Sequence, residues 1–309
     1  MTQAGAAAAD PEKGSRGSPL LSHAACGPPE ELFVYYLWGV ADDTYLREGE
    51  DFLGNWLEGG CSFLFFKRPA HAAIQELLSR QPGLELIQEH RVPYKEWLGG
   101  EITTFREGRI RVVPVWESPG TDPDSLDVRL DPGVVFGAGN HPTTRGCLRE
   151  LARIFATEPM KTVIDLGSGT GLLSLAAAKL GAGKVLGVDS NPLAARTMRG
   201  NILRNGMQDR VLAAFGGAES AAEGKADLVL ANIHYHVMSQ IATHSEIVHA
   251  RLAVVAGLFP SQAEEVASVL TSRGMQVRVK EGLEEGWPIL TASGAVRGAD
   301  TEEMTPGTS

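Results

Sequence analysis

Residues 163–171 read Val-Ile-Asp-Leu-Gly-Ser-Gly-Thr-Gly, and eighteen residues beyond Gly171 the run Lys184-Val-Leu-Gly-Val-Asp189 closes on a carboxylate. An apolar strand that enters three alternating glycines, a helix-like stretch and a second strand ending in an acid together predict a βαβ unit built to hold an adenosine. Glycines let the backbone approach the ligand, and the acid accepts the ribose hydroxyls. A dinucleotide turn requires G-x-G-x-x-G, but counting from Gly167 the sixth position is Leu172. The spacing therefore argues against a nicotinamide cofactor.

With Asp165 leading, the pattern becomes D-x-G-x-G-x-G, which resembles that of S-adenosylmethionine (SAM) methyltransferases. SAM carries no pyrophosphate, so the helix amino end faces a carboxylate instead of phosphates. On this reading Asp165, Gly167, Gly169, Gly171 and Asp189 form the cofactor cradle. The remaining pattern agrees. Short apolar runs at 162–165, 184–189, 210–214, 226–232 and 251–258 alternate with helical stretches at 171–180, 192–205, 236–249 and 261–273, the signature of a parallel sheet covered on both faces. Asn191 and Pro192 suit a helix start, and Gly206 and Gly274 suit helix ends. Two further strands, 275–280 and 287–292, read as a terminal hairpin. The expected fold is α/β: a seven-stranded, Rossmann-like class I methyltransferase sheet over residues 131–293.

Upstream, residues 31–93 read as a small α+β domain. Strands are expected at 31–40, 61–66 and 84–90, with an amphipathic helix over 47–58 and another over 69–80. Residues 94–130 read as a connector. The Ala/Gly/Pro-rich residues 1–30 and the polar residues 294–309 are expected to be a disordered leader and tail. No stretch of about 18 apolar residues occurs, so no membrane span is expected, and the first thirty residues lack a signal peptide's apolar run. Cys26, Cys61 and Cys147 are odd in number and far apart, which suits a reducing cytoplasm. No metal site is expected, because the close pair His234 and His236 lacks companion ligands. The 38 acids against 28 bases leave a net charge of −10, which disfavours direct nucleic-acid binding and suits a basic protein partner, or simply solubility.

Two more segments carry chemistry. Leu130-Asp-Pro-Gly-Val-Val-Phe-Gly-Ala-Gly-Asn-His-Pro-Thr-Thr144 is a glycine-rich loop with Thr143 and Thr144 placed to start a helix, fit either to close over a ligand or to link domains. Asp227-Leu-Val-Leu-Ala-Asn-Ile233 is a strand whose carboxyl end, where sites in parallel sheets lie, presents Asn232. Its side-chain carbonyl could orient an attacking amine; alternatively, Asn232 caps the next helix.

Together these segments resemble the ribosomal protein L11 methyltransferase family (PrmA family), whose pattern is close to L-D-P-G-x-A-F-G-T-G-x-H-P-T-T, V-x-D-x-G-x-G-x-G, G-x-D and A-N-I-L. The likeness runs from about Tyr94 to Ala292. It implies a SAM-dependent protein N-methyltransferase acting on lysine ε-amino or α-amino groups of L11 (L-eleven), with Thr144, Gly167, Asp189 and Asn232 at cofactor-contacting positions. It also implies a ferredoxin-like, reduced amino-terminal recognition domain. The loop bearing Phe136 and His141 is similar to the one enclosing the methyl donor. Asn232 and His141 are the catalytic candidates; no dedicated general base is evident, and His141, His234 or His236 could relay a proton. Ala138 replaces the family threonine, and His234-Tyr235-His236 replaces leucine and small residues. Other acceptors, a different protein lysine or a small amine, remain open, as does a non-catalytic protein with the same fold.

Overall fold

The computed structural model describes residues 27–282 and 286–294. The expected leader and tail lie outside the described residues except at their inner edges.

The larger sheet has seven strands: β8 (Thr162–Leu166), β9 (Lys184–Asp189), β10 (Val211–Phe215), β11 (Leu228–Asn232), β12 (Leu252–Ala256), β13 (Gln276–Lys280) and β14 (Ile289–Ser293). Their spatial order is β10-β9-β8-β11-β12-β14-β13. The first five run parallel, and β14 lies antiparallel between β12 and β13. Central strands of such sheets are covered on both faces and read as continuous apolar runs. In β8, everything after Thr162 is buried. Helices α3 (Pro142–Thr157), α4 (Leu172–Leu180), α5 (Pro192–Arg204), α7 (Tyr235–His244) and α8 (Pro260–Ser272) follow the strands, with the single turn α6 (Ala218–Ala221). Residues 172–178 of α4 are buried throughout. Their alanines let the helix lie close behind the glycine turn. Asn191 caps α5 by accepting the Leu193 N–H at 2.9 Å, with Pro192 at the first turn.

The segment expected to be a plain connector contains three strands: β5 (Phe105–Glu107), β6 (Ile110–Pro114) and β7 (Leu126–Leu130). β5 and β6 pair antiparallel, β6 and β7 parallel. Ile110, Val112, Val128 and Leu130 bury in the same core as α4 and β8, so this stretch packs as part of the seven-stranded body. Arg111 and Asp127, opposite each other in the register, form a two-pronged ion pair at 2.8 and 2.6 Å.

The amino-terminal unit is a four-stranded antiparallel sheet of β1 (Glu31–Trp38), β2 (Phe52–Glu58), β3 (Cys61–Phe66) and β4 (Glu85–Pro93) in the order β2-β3-β1-β4, with α1 (His71–Arg80) on one face. The helix expected over 47–58 is not formed; the chain makes one 3-10 turn at Leu46–Glu48 and then enters β2. The reason is the turn that follows. Gly59 and Gly60 both sit at positive φ (57° and 79°), as a tight hairpin requires, and they fold β2 onto β3. One face of this sheet buries Tyr35, Leu37, Leu64 and Phe66 against Ile74 and Leu77 of α1. The other packs Leu32, Val34 and Phe65 on Val134, Val135 and Leu193 of the seven-stranded body. Gly54 of β2 lies so close to α5 that a Cβ there would sit 2.4 Å from Leu193 Cδ1.

Leu175 of α4 is fully buried in the main core. Leu175→Ala should cost about 2–5 kcal/mol of stability, whereas Leu212→Ala on the exposed side of edge strand β10 should stay within about 0.5 kcal/mol. Urea denaturation checks both, and equal midpoints for the two variants would contradict this packing.

Candidate active site

Three turns converge at the carboxyl edge of the parallel strands. After β8 the chain passes through Gly167, Gly169 and Gly171, all at positive φ (68°, 53° and 80°). Glycine is needed there for space as well as for conformation. A Cβ on Gly169 would lie 2.4 Å from the Phe136 carbonyl oxygen, and one on Gly167 would lie 2.3 Å from Ile233 Cγ2. β9 ends at Asp189, whose Oδ2 accepts the Gly169 N–H at 2.9 Å and whose Oδ1 accepts the Asn191 N–H at 2.9 Å. The carboxylate thus joins the glycine turn to the start of α5, and each oxygen has a lone pair for a further donor. Burial raises its pKa, an effect the two N–H groups oppose.

Asp165 lies deeper, 1% exposed, and accepts the Ser174 hydroxyl at 2.6 Å. Burial lifts its carboxyl to about 7; the Ser174 hydrogen bonds pull it back and the neighbouring Asp189 charge adds to the rise. β11 ends at Asn232, whose Nδ2 donates to Thr144 Oγ1 at 3.3 Å. Gly257, just after β12, approaches from the other side. A Cβ there would stand 3.1 Å from Asn232 Oδ1, so glycine keeps that flank of the amide open.

Phe136, Gly137, Thr144, Asp165, Gly167, Ser168, Gly169 and Asn232 surround one cavity of about 20 Å³, room for one or two waters. Ser168, on its wall, has a buried hydroxyl oxygen with no hydrogen-bond partner. The glycine-rich loop ahead of α3 forms its roof: the Thr170 N–H donates to Phe136 O at 3.1 Å and the Thr170 hydroxyl to Gly137 O at 2.7 Å. That loop is anchored on both flanks. Tyr94 donates to Gly133 O at 2.6 Å, Trp97 to Val134 O at 2.9 Å, and Asn140 to Leu98 O at 2.5 Å. From the other flank, Asn201 of α5 accepts the Asp131 N–H and donates to both Asp131 O and Thr170 O, each at 2.9 Å.

The structure therefore gathers Phe136, Thr144, Asp165, Gly167, Gly169 and Asn232 around one space, while Gly171 and Asp189 stand behind it in the turn. His141 is not among the residues lining that cavity. Its Nδ1 is 2.7 Å from Thr143 Oγ1 and accepts the Thr143 N–H, so His141 caps α3, the role expected of the threonines. Its ring meets Phe136 at 5.7 Å and Trp287 at 4.8 Å, and Trp287 meets Phe259 at 5.0 Å. His234 and His236 are exposed at the start of α7 and line neither this cavity nor the larger one beside it. Asn232 caps no helix; His234 takes the cap position of α7. Ser168, Ser174, Asn201 and Gly257 escaped the sequence reading. Only Asn201 had a local signal, an amide in the middle of a helix with no local partner to explain it.

A mixed seven-stranded sheet in this order, with a glycine turn after β8 and an acid at the end of β9, defines the class I methyltransferase fold. The family model described as ribosomal protein L11 methyltransferase (PrmA) matches residues 90–294. The chain belongs to that family. It is 39% identical over 191 residues to the ribosomal protein L11 methyltransferase of Pelotomaculum thermopropionicum, covering 60% of this chain and 61% of that one. Against the enzyme of the same name from Burkholderia pseudomallei, it is 34% identical over 227 residues, covering 72% and 73%. The crystal structure of ribosomal protein L11 methylase from Lactobacillus delbrueckii superposes with a TM-score of 0.53 at 28% identity, covering 62% of this chain and 98% of that one. The chain thus spans about three fifths of the length of the first of these relatives, and the family model takes in only the end of β4 from the four-stranded unit.

An acid whose pKa is raised by folding contributes stability that is complete below its ordinary value of about 4 and lost as pH rises through its folded value. For Asp165 that loss runs from about pH 4 to about 7. Asp165→Asn should therefore gain stability relative to the wild type as pH rises from 4 to 8. Urea midpoints at each pH measure this; a gap that stays constant would refute it.

Proposed function

We propose that the chain is a SAM-dependent protein N-methyltransferase that methylates lysine ε-amino or α-amino groups of ribosomal protein L11. The observation that carries this reading is the convergence of Asn232, Thr144, Asp165 and Ser168 on one cavity beside the glycine turn. The names of the family and of the aligned relatives supply the acceptor.

The residues present fit the methyl donor. The Ser168 hydroxyl is buried without a partner, the Asp189 oxygens retain acceptor capacity, and Asp165 adds a carboxyl to the cavity wall. Asp189 would take the ribose hydroxyls, and the Gly167–Gly171 turn would lie along the ligand. A cavity of about 20 Å³ cannot hold a nucleoside, so entry requires the Phe136–Gly139 roof to lift. Gly137 and Gly139, both at positive φ (99° and 97°), are its hinges.

SAM when bound supplies an electrophilic methyl on a sulfonium. The chain's task is then to hold a neutral amine in line with that methyl, and such positioning is worth about 7–11 kcal/mol. Presenting lysine as the free amine at pH 7 costs about 4.6 kcal/mol, and an α-amino group about 1 kcal/mol. A dry mouth lowers that cost by disfavouring the ammonium. The Asn232 carbonyl would accept one N–H of the amine and so aim its lone pair, with Thr144 holding the amide through its other end. We assign His141 to fixing the loop as the α3 cap; the proton leaves before transfer, to solvent.

The amino-terminal unit we read as a reduced ferredoxin-like recognition domain. Its strand order β2-β3-β1-β4 and single helix support this, the 3-10 turn at Leu46–Glu48 standing where such a domain has its first helix. That reduction favours a second reading in which the acceptor is another protein lysine.

Transfer of tritiated methyl from SAM should label purified L11, and Asn232→Ala should lower kcat about a hundredfold while S-adenosylhomocysteine binds within about threefold of wild type by calorimetry. Label appearing on a different protein in lysate but not on L11 would favour the second reading. Unchanged turnover in the variant would remove Asn232 from the mechanism.

A further inference from the structure

A cavity of about 650 Å³ beside the site lies between the amino-terminal sheet and the Val134–Pro142 loop. That volume is in the range of ligand pockets. Its character comes from strand register. Tyr36 faces Phe63 across β1 and β3, and Trp56 faces Phe63 across β2 and β3, so three aromatic rings stand in a row on one face. Tyr36 and Phe63 stack in parallel at 4.7 Å. Nearer the catalytic body the same face continues as Phe65, tilted against Trp97 at 4.9 Å, and is sealed by Val134 and Val135. Beyond that seal the face is uncovered, and Trp56, Phe63, Trp97 and Phe136 wall the cavity with Glu58 at its rim.

The electrostatics of this cavity select a cation. No lysine or arginine is among its lining residues, and the Trp56 indole N–H donates to Glu58 Oε2 at 3.3 Å, which fixes ring and carboxylate relative to each other. Residues 31–93 carry ten acids against five bases. Faces of tryptophan and phenylalanine attract cations through the ring quadrupole. A primary ammonium loses strong hydration on entering such walls; methyl groups remove those N–H donors and present apolar surface to the rings, so a methylated ammonium enters at lower cost. The cavity is too large for one side chain alone and takes a lysine with flanking backbone. It shares Phe136 and Gly137 with the cavity at Asn232, so an ammonium held here is across the roof loop from the reacting centre.

We propose that the cavity walled by Trp56, Phe63, Trp97 and Phe136, with Glu58 at its rim, is a subsite for a di- or trimethylated lysine of the substrate protein. The inference rests on the amine-methylating reading above, since that reaction produces the group it binds. A substrate protein already methylated at one lysine would be held there while another amine reaches Asn232.

The test uses the full chain and two probes, N-acetyl-trimethyllysine methylamide and its unmethylated counterpart, titrated by calorimetry and by NMR of the tryptophan indole N–H signals. The methylated probe should bind at least tenfold tighter and shift the Trp56 signal. Trp56→Ala should abolish the preference, and Glu58→Gln, an exposed position without packing, should weaken the methylated probe several-fold. Equal affinity for both probes, or wild-type affinity in both variants, would overturn the subsite. S-adenosylhomocysteine binding and methyl transfer are measured alongside: if both persist while the probe preference is missing, the subsite alone fails. If the wild type binds no S-adenosylhomocysteine, the reading beneath the subsite fails and the subsite with it.

Discussion

One buried amide holds the two glycine-rich loops in register. Asn201 on α5 accepts the Asp131 N–H and donates to the carbonyls of Asp131 and Thr170, and so binds the start of the roof loop to the glycine turn below it. It is fully buried, and an unpaired backbone group at such a place costs about 1–3 kcal/mol. The turn and the roof are therefore pinned to each other at this point. Asp189 repeats the device a few ångströms away, tying the turn to the amino end of the same helix. Because α5 also lies under Gly54 of β2 through Leu193, one helix aligns the glycine turn, the roof and the amino-terminal sheet.

That arrangement explains why most of the site was legible in the sequence and part was not. The parallel strands were readable because burial on both faces writes itself as uninterrupted apolar runs, and the βα turns because their glycines answer local needs. Asp165, Asp189 and Asn232 were readable because strand ends in this topology point to one place. Ser168, Asn201 and Gly257 answer to neighbours distant in the chain. The Cβ that Gly257 avoids would meet Asn232, and nothing near residue 257 announces this. His141 was legible as a loop residue, but its use as a cap in place of Thr143 depends on ring geometry.

The amino-terminal errors have a similar origin. Residues 47–58 have helical spacing, yet the decisive signal lay just beyond them, in two glycines that close a hairpin. In β5–β7 the strands are three to five residues long, too short for alternation to stand out, and their burial comes from α3 and α4 packing over them. Local pattern there was weaker than tertiary context.

The placement of β14 has a consequence for how the molecule is made. This strand fills the gap between β12 and β13, and it is translated after every other strand described here. Until it arrives, β12 has an open edge and β13 has no partner in the sheet. Trp287, which packs on His141 and Phe259 near the roof, is delivered by the same late segment. The five parallel strands and their glycine turn are thus made early, whereas the aromatic surround of the roof waits for β14, and the mouth beside the roof is the part of this sheet completed latest.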